Sequence, residues 1–197
     1  ARAWKESDAI IARGRCNRDV LLGTSHLFTR DVFCFWEDRG EVRMQLKPHA
    51  PGIRKFSEQA LTAKARTIIK SMRASKDSGK AVMFYSCIIG SIPGQTATAI
   101  KVADTFVRSL RERLDQVFII NPAEYFEPGM DGDDLMFMWE QVQRSGLINI
   151  WRFQSMEDIE ASFGLMGLKV PPVWSGKDAT FSTGCTKEMR IALDMQR

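Results

Sequence analysis

The sequence predicts an α/β protein in which helices flank a largely parallel sheet. Three strongly apolar segments, 81–89, 117–120 and 147–153, alternate along the chain with amphipathic helical segments. Strands that are apolar on both faces and alternate with helices are typical of a parallel sheet covered by helices. The chain has 197 residues, of which 44% are hydrophobic, enough for one sizeable core. We therefore expect a single domain over residues 1–197.

The N-terminal region predicts a short helix followed by two paired strands. Residues 3–12 have apolar side chains on one side of a helix, which Gly14 closes. Segment 27–36 is rich in aromatic and β-branched residues, and segment 42–46 alternates apolar with polar residues. The turn-forming residues 37–40 lie between them, so we expect a hairpin.

Residues 53–75 predict a helix with one apolar face and one basic face. The apolar face is formed by Leu61, Ala65, Ile69 and Met72. The basic stripe is formed by Arg66, Lys70 and Arg73. This stripe is either a solvated surface or a contact for anionic lipid or phosphate, where each basic group near an anionic membrane contributes ~1 kcal/mol.

The central part of the chain alternates strands and helices. Segment 81–89 is a nearly unbroken apolar run, the turn 90–94 follows it, and segment 95–114 is an amphipathic helix that covers a sheet. A further helix begins at Ser155, with acidic residues in its first turn, where they interact favourably with the helix dipole. The remaining tail, 169–197, predicts a loop and a short terminal helix.

The segment between Asn121 and Gly146 is unusual in composition. Acidic residues accumulate over 124–134, and the unbroken apolar run Leu135–Trp139 follows them. A helix with this run is apolar around more than half of its circumference, whereas an ordinary core contact buries one stripe. Two interpretations remain. The helix is sandwiched between the sheet and another element, or it is a lid that covers an apolar ligand and presents its outer face to a membrane or partner.

The sequence lacks the motifs of the common α/β enzymes. A phosphate-binding loop requires a lysine directly after its second glycine, but Gln95 follows Gly94 here. The turn also lacks the three glycines of a dinucleotide site. No histidine follows His49, so the residue order of an α/β-hydrolase is not met. Cys87 lies in an apolar strand, where burial makes a thiol unreactive. We predict no catalytic residue and, from the cysteine and histidine spacing, no metal site.

Several segments resemble the CRAL-TRIO lipid-binding family, which includes phosphatidylinositol-transfer proteins and carriers of retinaldehyde and tocopherol. The most specific is Leu110–Pro122. It is similar to the sequence that follows the long helix in the family and continues into the next strand. Leu135–Val142 matches its gate helix, and Val170–Gly176 is similar to its closing motif. The strongest resemblance covers residues 80–163, and residues 177–197 form a tail.

This resemblance implies an apolar pocket whose floor is the sheet and whose gate is the helix around Trp139. The residues expected to line it are Phe84, Ser86, Phe118, Ile120, Leu135, Met138, Trp139, Val142 and Ile150. The implied function is non-catalytic binding of a phospholipid or isoprenoid, with lipid transfer or sensing at a membrane. The alternative is a structural subunit of a larger membrane-associated assembly, in which the protein's own side chains fill the pocket.

Charge and hydropathy restrict the partners that we expect. The net charge of +4 does not call for a nucleic acid, and no apolar run approaches the ~20 residues of a membrane-spanning helix. The expected partners are a lipid or another hydrophobic small molecule, and a peripheral membrane surface or membrane-protein assembly. We expect no cofactor apart from a bound lipid. The expected location is the cytoplasm, peripheral to membranes, or an organelle after removal of a targeting segment.

Overall fold

The chain forms two compact units that together contain two three-stranded sheets. The computed structural model describes residues 7–24, 28, 30–51, 56–130 and 132–196. One unit comprises the residues up to Glu58 with Pro128–Met130, and the other comprises Gln59–Glu127 and the residues after 131. The α/β class is confirmed, but the sheet residues are divided between two sheets. A single domain over 1–197 stays a prediction.

The first unit contains a mixed sheet with the strand order β1-β2-β3. Its elements are β1 (Ala9–Arg13), α1 (Arg15–Gly23), β2 (Asp31–Asp38) and β3 (Glu41–Lys47). β1 is parallel to β2, and β3 is antiparallel to β2. The predicted hairpin is confirmed, and its two turn residues, Arg39 and Gly40, have φ of 53° and 82°, as in the type I′ turns that join twisted strands.

The predicted helix over 3–12 is wrong in the part that the structure describes. Ala9–Arg13 is a strand that pairs with β2, since two adjacent isoleucines suit a pleated surface and find partners there. Residues 1–6 lie outside the described residues. Gly14, at φ 102°, separates this strand from α1, a helix that the sequence did not predict.

The second unit contains an all-parallel sheet with the strand order β5-β4-β6. Its strands are β4 (Ala81–Ser86), β5 (Val117–Ile120) and β6 (Ile150–Phe153). Its helices are α2 (Glu58–Asp77), α3 (Thr96–Arg111), α4 (Gly132–Gln143), α5 (Met156–Leu165) and α6 (Thr183–Met195). Short 3₁₀ turns lie at Pro122–Tyr125, Pro172–Trp174 and Ala179–Phe181.

The two faces of the central strand β4 have different environments. Met83 and Tyr85 pack with residues of α3, among them Phe106, which stacks on Tyr85 at 5.5 Å between ring centroids. Phe84 and Ser86 point the other way and contact side chains of α4 and α6. Helices on both faces explain why β4 is an almost unbroken apolar run.

Two details of the predicted burial are wrong. β6 was expected to be buried on both faces, but Ile150 is 38% exposed because β6 is an edge strand of the sheet. In α2 the buried face includes Ile68 instead of Ile69, whereas the other three residues of the predicted face are buried. Residues 53–55, which the prediction includes in this helix, lie outside the described residues.

Candidate functional site

Most of the side chains that were predicted around a pocket lie at the interface between the parallel sheet and α4. Those that are buried are Phe84, Ser86, Ile120, Met138, Trp139 and Val142. Phe118 and Leu135 are half-buried, and Ile150 is exposed at the edge of the sheet. The predicted residues therefore separate into a buried group and a smaller group at the periphery.

Four aromatic rings are in contact at this interface. The ring of Trp139 contacts Phe84 and Tyr125 edge to face, with centroids 5.4 Å apart in both pairs. Phe84 also contacts Trp151 at 5.5 Å. Aromatic pairs at such distances contribute ~0.5–1.5 kcal/mol each beyond the area that they bury. The ring of Trp139 is therefore enclosed by side chains of the protein and is 2% exposed.

A buried polar cluster lies beside the rings, at the end of β4. The Glu188 carboxylate on α6 accepts a hydrogen bond from the Ser86 hydroxyl at 2.5 Å and one from the Gln143 amide at 2.9 Å. Burial raises the pKa of Glu188 to about 7, although both hydrogen bonds act in the opposite direction. The other amide atom of Gln143, Oε1, is buried without a hydrogen-bond partner in the part of the chain that the structure describes. This cluster connects β4, α4 and α6.

The turn after β4, where many α/β proteins bind phosphate, is held by internal hydrogen bonds. The Gln154 side chain accepts from the backbone N–H of Ile88, and the Ser91 hydroxyl donates to Ser182, which caps α6. Cys87 is buried, as predicted, and burial raises its pKa well above the ordinary value. The thiol of Cys87 is therefore protonated at neutral pH, which makes it a poor nucleophile.

A small cleft of about 360 Å³ opens beside α4 on the side of α2. Its wall is partly apolar, from Ile68 and Met138, and Tyr125 also lines it. The ion pair between Lys64 and Glu127 lies at the same cleft. Met138 is thus the predicted pocket residue that borders open space in this cleft.

The predicted basic stripe is confirmed as an exposed surface of α2. Arg66, Lys70 and Arg73 are all exposed, on the side of the helix away from its buried residues. Both interpretations of the stripe, a solvated surface and a contact for anionic lipid, require exposed side chains. The lipid or phosphate contact stays a prediction.

The first sheet has one face on which four large apolar side chains are exposed. Side chains of α1 cover the opposite face, where Val32 and Cys34 are buried. On the open face Ile11 is 76% exposed, Val42 78%, Met44 54% and Leu46 41%. Phe33 and Phe35 of the central strand lie between these residues and are half-buried. We call this surface of six side chains the open face.

Sequence reasoning did not identify the open face, although part of its signal is present. Apolar residues alternate with other residues in β3, and Phe33 and Phe35 are two residues apart in β2. The sequence predicts a helix where β1 lies, so the prediction does not place Ile11 beside them. In addition, the alternation of apolar and polar residues does not show which face of a strand is exposed to solvent.

These features define an α/β protein with one all-parallel sheet and one mixed sheet that is open on an apolar face. Comparison of the chain with known protein families, with curated proteins and with solved structures finds no match. In the described residues no helix is long and apolar enough to cross a membrane. The same part of the chain contains no group of three or more His, Cys, Asp or Glu side chains arranged to hold a metal ion.

Proposed function

We propose that the chain is a non-catalytic structural subunit that contacts another protein through the open face. The observation that carries this proposal is the exposure of Ile11, Val42, Met44 and Leu46 on one side of a folded sheet. Contiguous exposed apolar surface of this kind marks interaction sites in soluble domains. Complete burial of one such side chain contributes ~1.5–3 kcal/mol, part of which offsets the entropic cost of association.

The close ring contacts at the interface between the parallel sheet and α4 support the same proposal. A carrier needs space for its ligand, whereas Trp139 is 2% exposed and contacts rings on both sides. A structural subunit gains stability when its own side chains fill this volume. Met138 and Trp139 then act as core residues. This agrees with the second function that the sequence suggested, a structural subunit whose own side chains fill the pocket.

A charged substitution on the open face tests the proposal. In extracts of the source cells, the tagged wild-type chain is expected to elute in an assembly larger than its own 22.4 kDa. Ile11→Glu is expected to elute as the free chain, because the glutamate cannot be buried without a partner. Val173→Glu, which changes a 43% exposed apolar residue in the other unit, is the matched control and should leave the assembly intact.

Native mass spectrometry of the purified chain, followed by denaturing lipid extraction, separates this proposal from the lipid-carrier hypothesis. The structural subunit is expected to contain polypeptide only, with no bound lipid. A lipid bound at one molecule per chain, together with unchanged elution of Ile11→Glu, would overturn the proposal.

The cleft between α2 and α4 supports a second candidate, the binding of a small amphipathic molecule. Its volume of about 360 Å³ is within the ~300–1,000 Å³ of small-molecule sites, but a phospholipid with two acyl chains exceeds it. Thr67→Trp is expected to fill the cleft and remove any ligand detected by native mass spectrometry. Ser71→Trp, one turn along the same helix and outside the cleft lining, is its control. Equal ligand retention by both variants would exclude the cleft.

A further inference from the structure

We propose that the free edge of β3 pairs with β3 of a second copy of the chain, in antiparallel orientation and centred on Met44. This inference concerns the edge of the first sheet and goes beyond the proposed function, which concerns its face. The pairing would join two sheets of three strands into one of six and extend the open face across both copies.

The first observation is that β3 is a long edge strand with an unused backbone. It is the last strand in the order β1-β2-β3, and all of its residues are exposed except Lys47, which is half-buried. No backbone hydrogen bond joins its outer side to any other part of the described chain. A strand edge of this kind is a template for pairing with another strand.

The hairpin geometry determines which backbone groups point outward. Asp38 and Glu41 flank a two-residue turn and form the first hydrogen-bonded pair of the hairpin. Hydrogen-bonded pairs then recur at every second residue, so the amides of Val42, Met44 and Leu46 face away from β2. These three residues can hydrogen-bond to a second strand without disturbing the existing sheet.

Side-chain alternation restricts the register of the pair. In a two-fold antiparallel pair, opposing residues lie on the same face, so the apolar residues of one strand must oppose those of the other. Centring the pair on Met44 places Met44 opposite Met44 and Val42 opposite Leu46. Cross-strand apolar pairs of this kind each contribute ~0.2–1 kcal/mol.

Charge on the other face favours this register over the two neighbouring registers that alternation also allows. With Met44 at the centre, Glu41 of one copy lies opposite Lys47 of the other. A centre at Arg43 would oppose two arginines, and a centre at Gln45 would oppose Arg43 and Lys47. Like charges in direct opposition destabilise a strand pair. The ammonium of Lys47 donates to the carbonyl oxygens of Leu21 and Thr24, which hold it in place without neutralising its charge.

Met44→Pro tests whether the edge is used. Proline removes an amide that points away from β2, so the variant is expected to keep the circular dichroism spectrum and melting temperature of the wild type. In analytical ultracentrifugation the wild type is expected to form a dimer that dissociates on dilution, and Met44→Pro is expected to be monomeric. A wild type that is monomeric up to 100 μM, or a Met44→Pro variant that dimerises like the wild type, would overturn the inference.

A cysteine pair tests the register even if the proline variant misfolds. In a Cys16→Ser background, which removes the exposed native thiol, Met44→Cys is expected to form an intermolecular disulfide under mild oxidation. The two Cα atoms at the centre of the pair are ~5.5 Å apart, within disulfide reach. Val42→Cys, which is more exposed than Met44 but lies opposite Leu46, is expected to remain unlinked. Equal cross-linking at both positions would overturn the register.

The two proposals fail separately. If the chain is monomeric but Ile11→Glu still releases it from its assembly, the pairing of β3 is wrong and the proposed function stands. If Met44→Cys cross-links selectively but Ile11→Glu elutes like the wild type, the proposed function is wrong and the pairing stands.

Discussion

Trp139→Ala is expected to destabilise the chain by about 3–5 kcal/mol, the range for truncating a fully buried large aromatic side chain. Trp139 is 2% exposed and contacts both Phe84 and Tyr125. Its removal leaves a cavity between the sheet and α4 and takes away both edge-to-face contacts. Urea unfolding followed by circular dichroism measures the effect.

Phe181→Ala is the matched control for this variant. Phe181 is also aromatic, but it is 47% exposed, so its truncation should cost less than about 1 kcal/mol. A Trp139→Ala variant as stable as the wild type would show that the space around α4 is not tightly filled. That result would favour the ligand pocket over the structural subunit, because a ligand site tolerates the loss of a lining side chain better than a packed core does.

The second unit could be predicted well because its sequence signals are strong and local. β4, β5 and α3 follow from apolar runs and helical periodicity bounded by turns, and the helix after Ser155 follows from its capping residue, which the structure shows accepting from Asp158. The helix predicted over 135–142 corresponds to α4. Periodicity does not give the volume left between elements. The same apolar residues are therefore expected whether they line a pocket or fill a core.

The first unit was harder to predict because its structure depends on pairing between distant residues. Ile10 and Ile11 fit a helix or a strand, and their parallel pairing with Val32 and Phe33 decides the outcome. The buried cluster of Ser86, Gln143 and Glu188 was missed apart from Ser86 for a related reason. The three residues come from three elements, and Gln143 and Ser86 are 45 and 102 residues from Glu188 in the sequence. No local sequence pattern indicates a contact between residues so far apart.

Glu188→Gln is expected to change how the stability of the chain depends on pH. Burial raises the pKa of Glu188 from 4.5 to about 7. Between these pH values the folded chain holds a proton that the unfolded chain has released, so wild-type stability falls as pH rises through this window. The loss is about 3 kcal/mol and is complete above pH 7. Glutamine does not titrate, so the variant should lack this decline.

The measurement is the free energy of unfolding of both proteins from pH 4 to 8, and the informative quantity is their difference. This difference should rise by about 3 kcal/mol in favour of Glu188→Gln across the range. The constant part of the difference reflects the altered hydrogen bonds to Ser86 and Gln143, and it does not affect the slope. Asp104, whose pKa burial also raises, titrates in both proteins and cancels.

Glu160→Gln, at an exposed position of α5, controls for the loss of a carboxylate and should give a curve parallel to that of the wild type. Burial raises the pKa of the neighbouring Cys185 to about 12, so this thiol is neutral throughout the pH range. Parallel curves for the wild type and Glu188→Gln would mean that Glu188 is hydrated in solution. Since Glu188 joins α6 to β4 and α4, hydration there would require the same sheet–helix interface to open, and a filled core would no longer describe it.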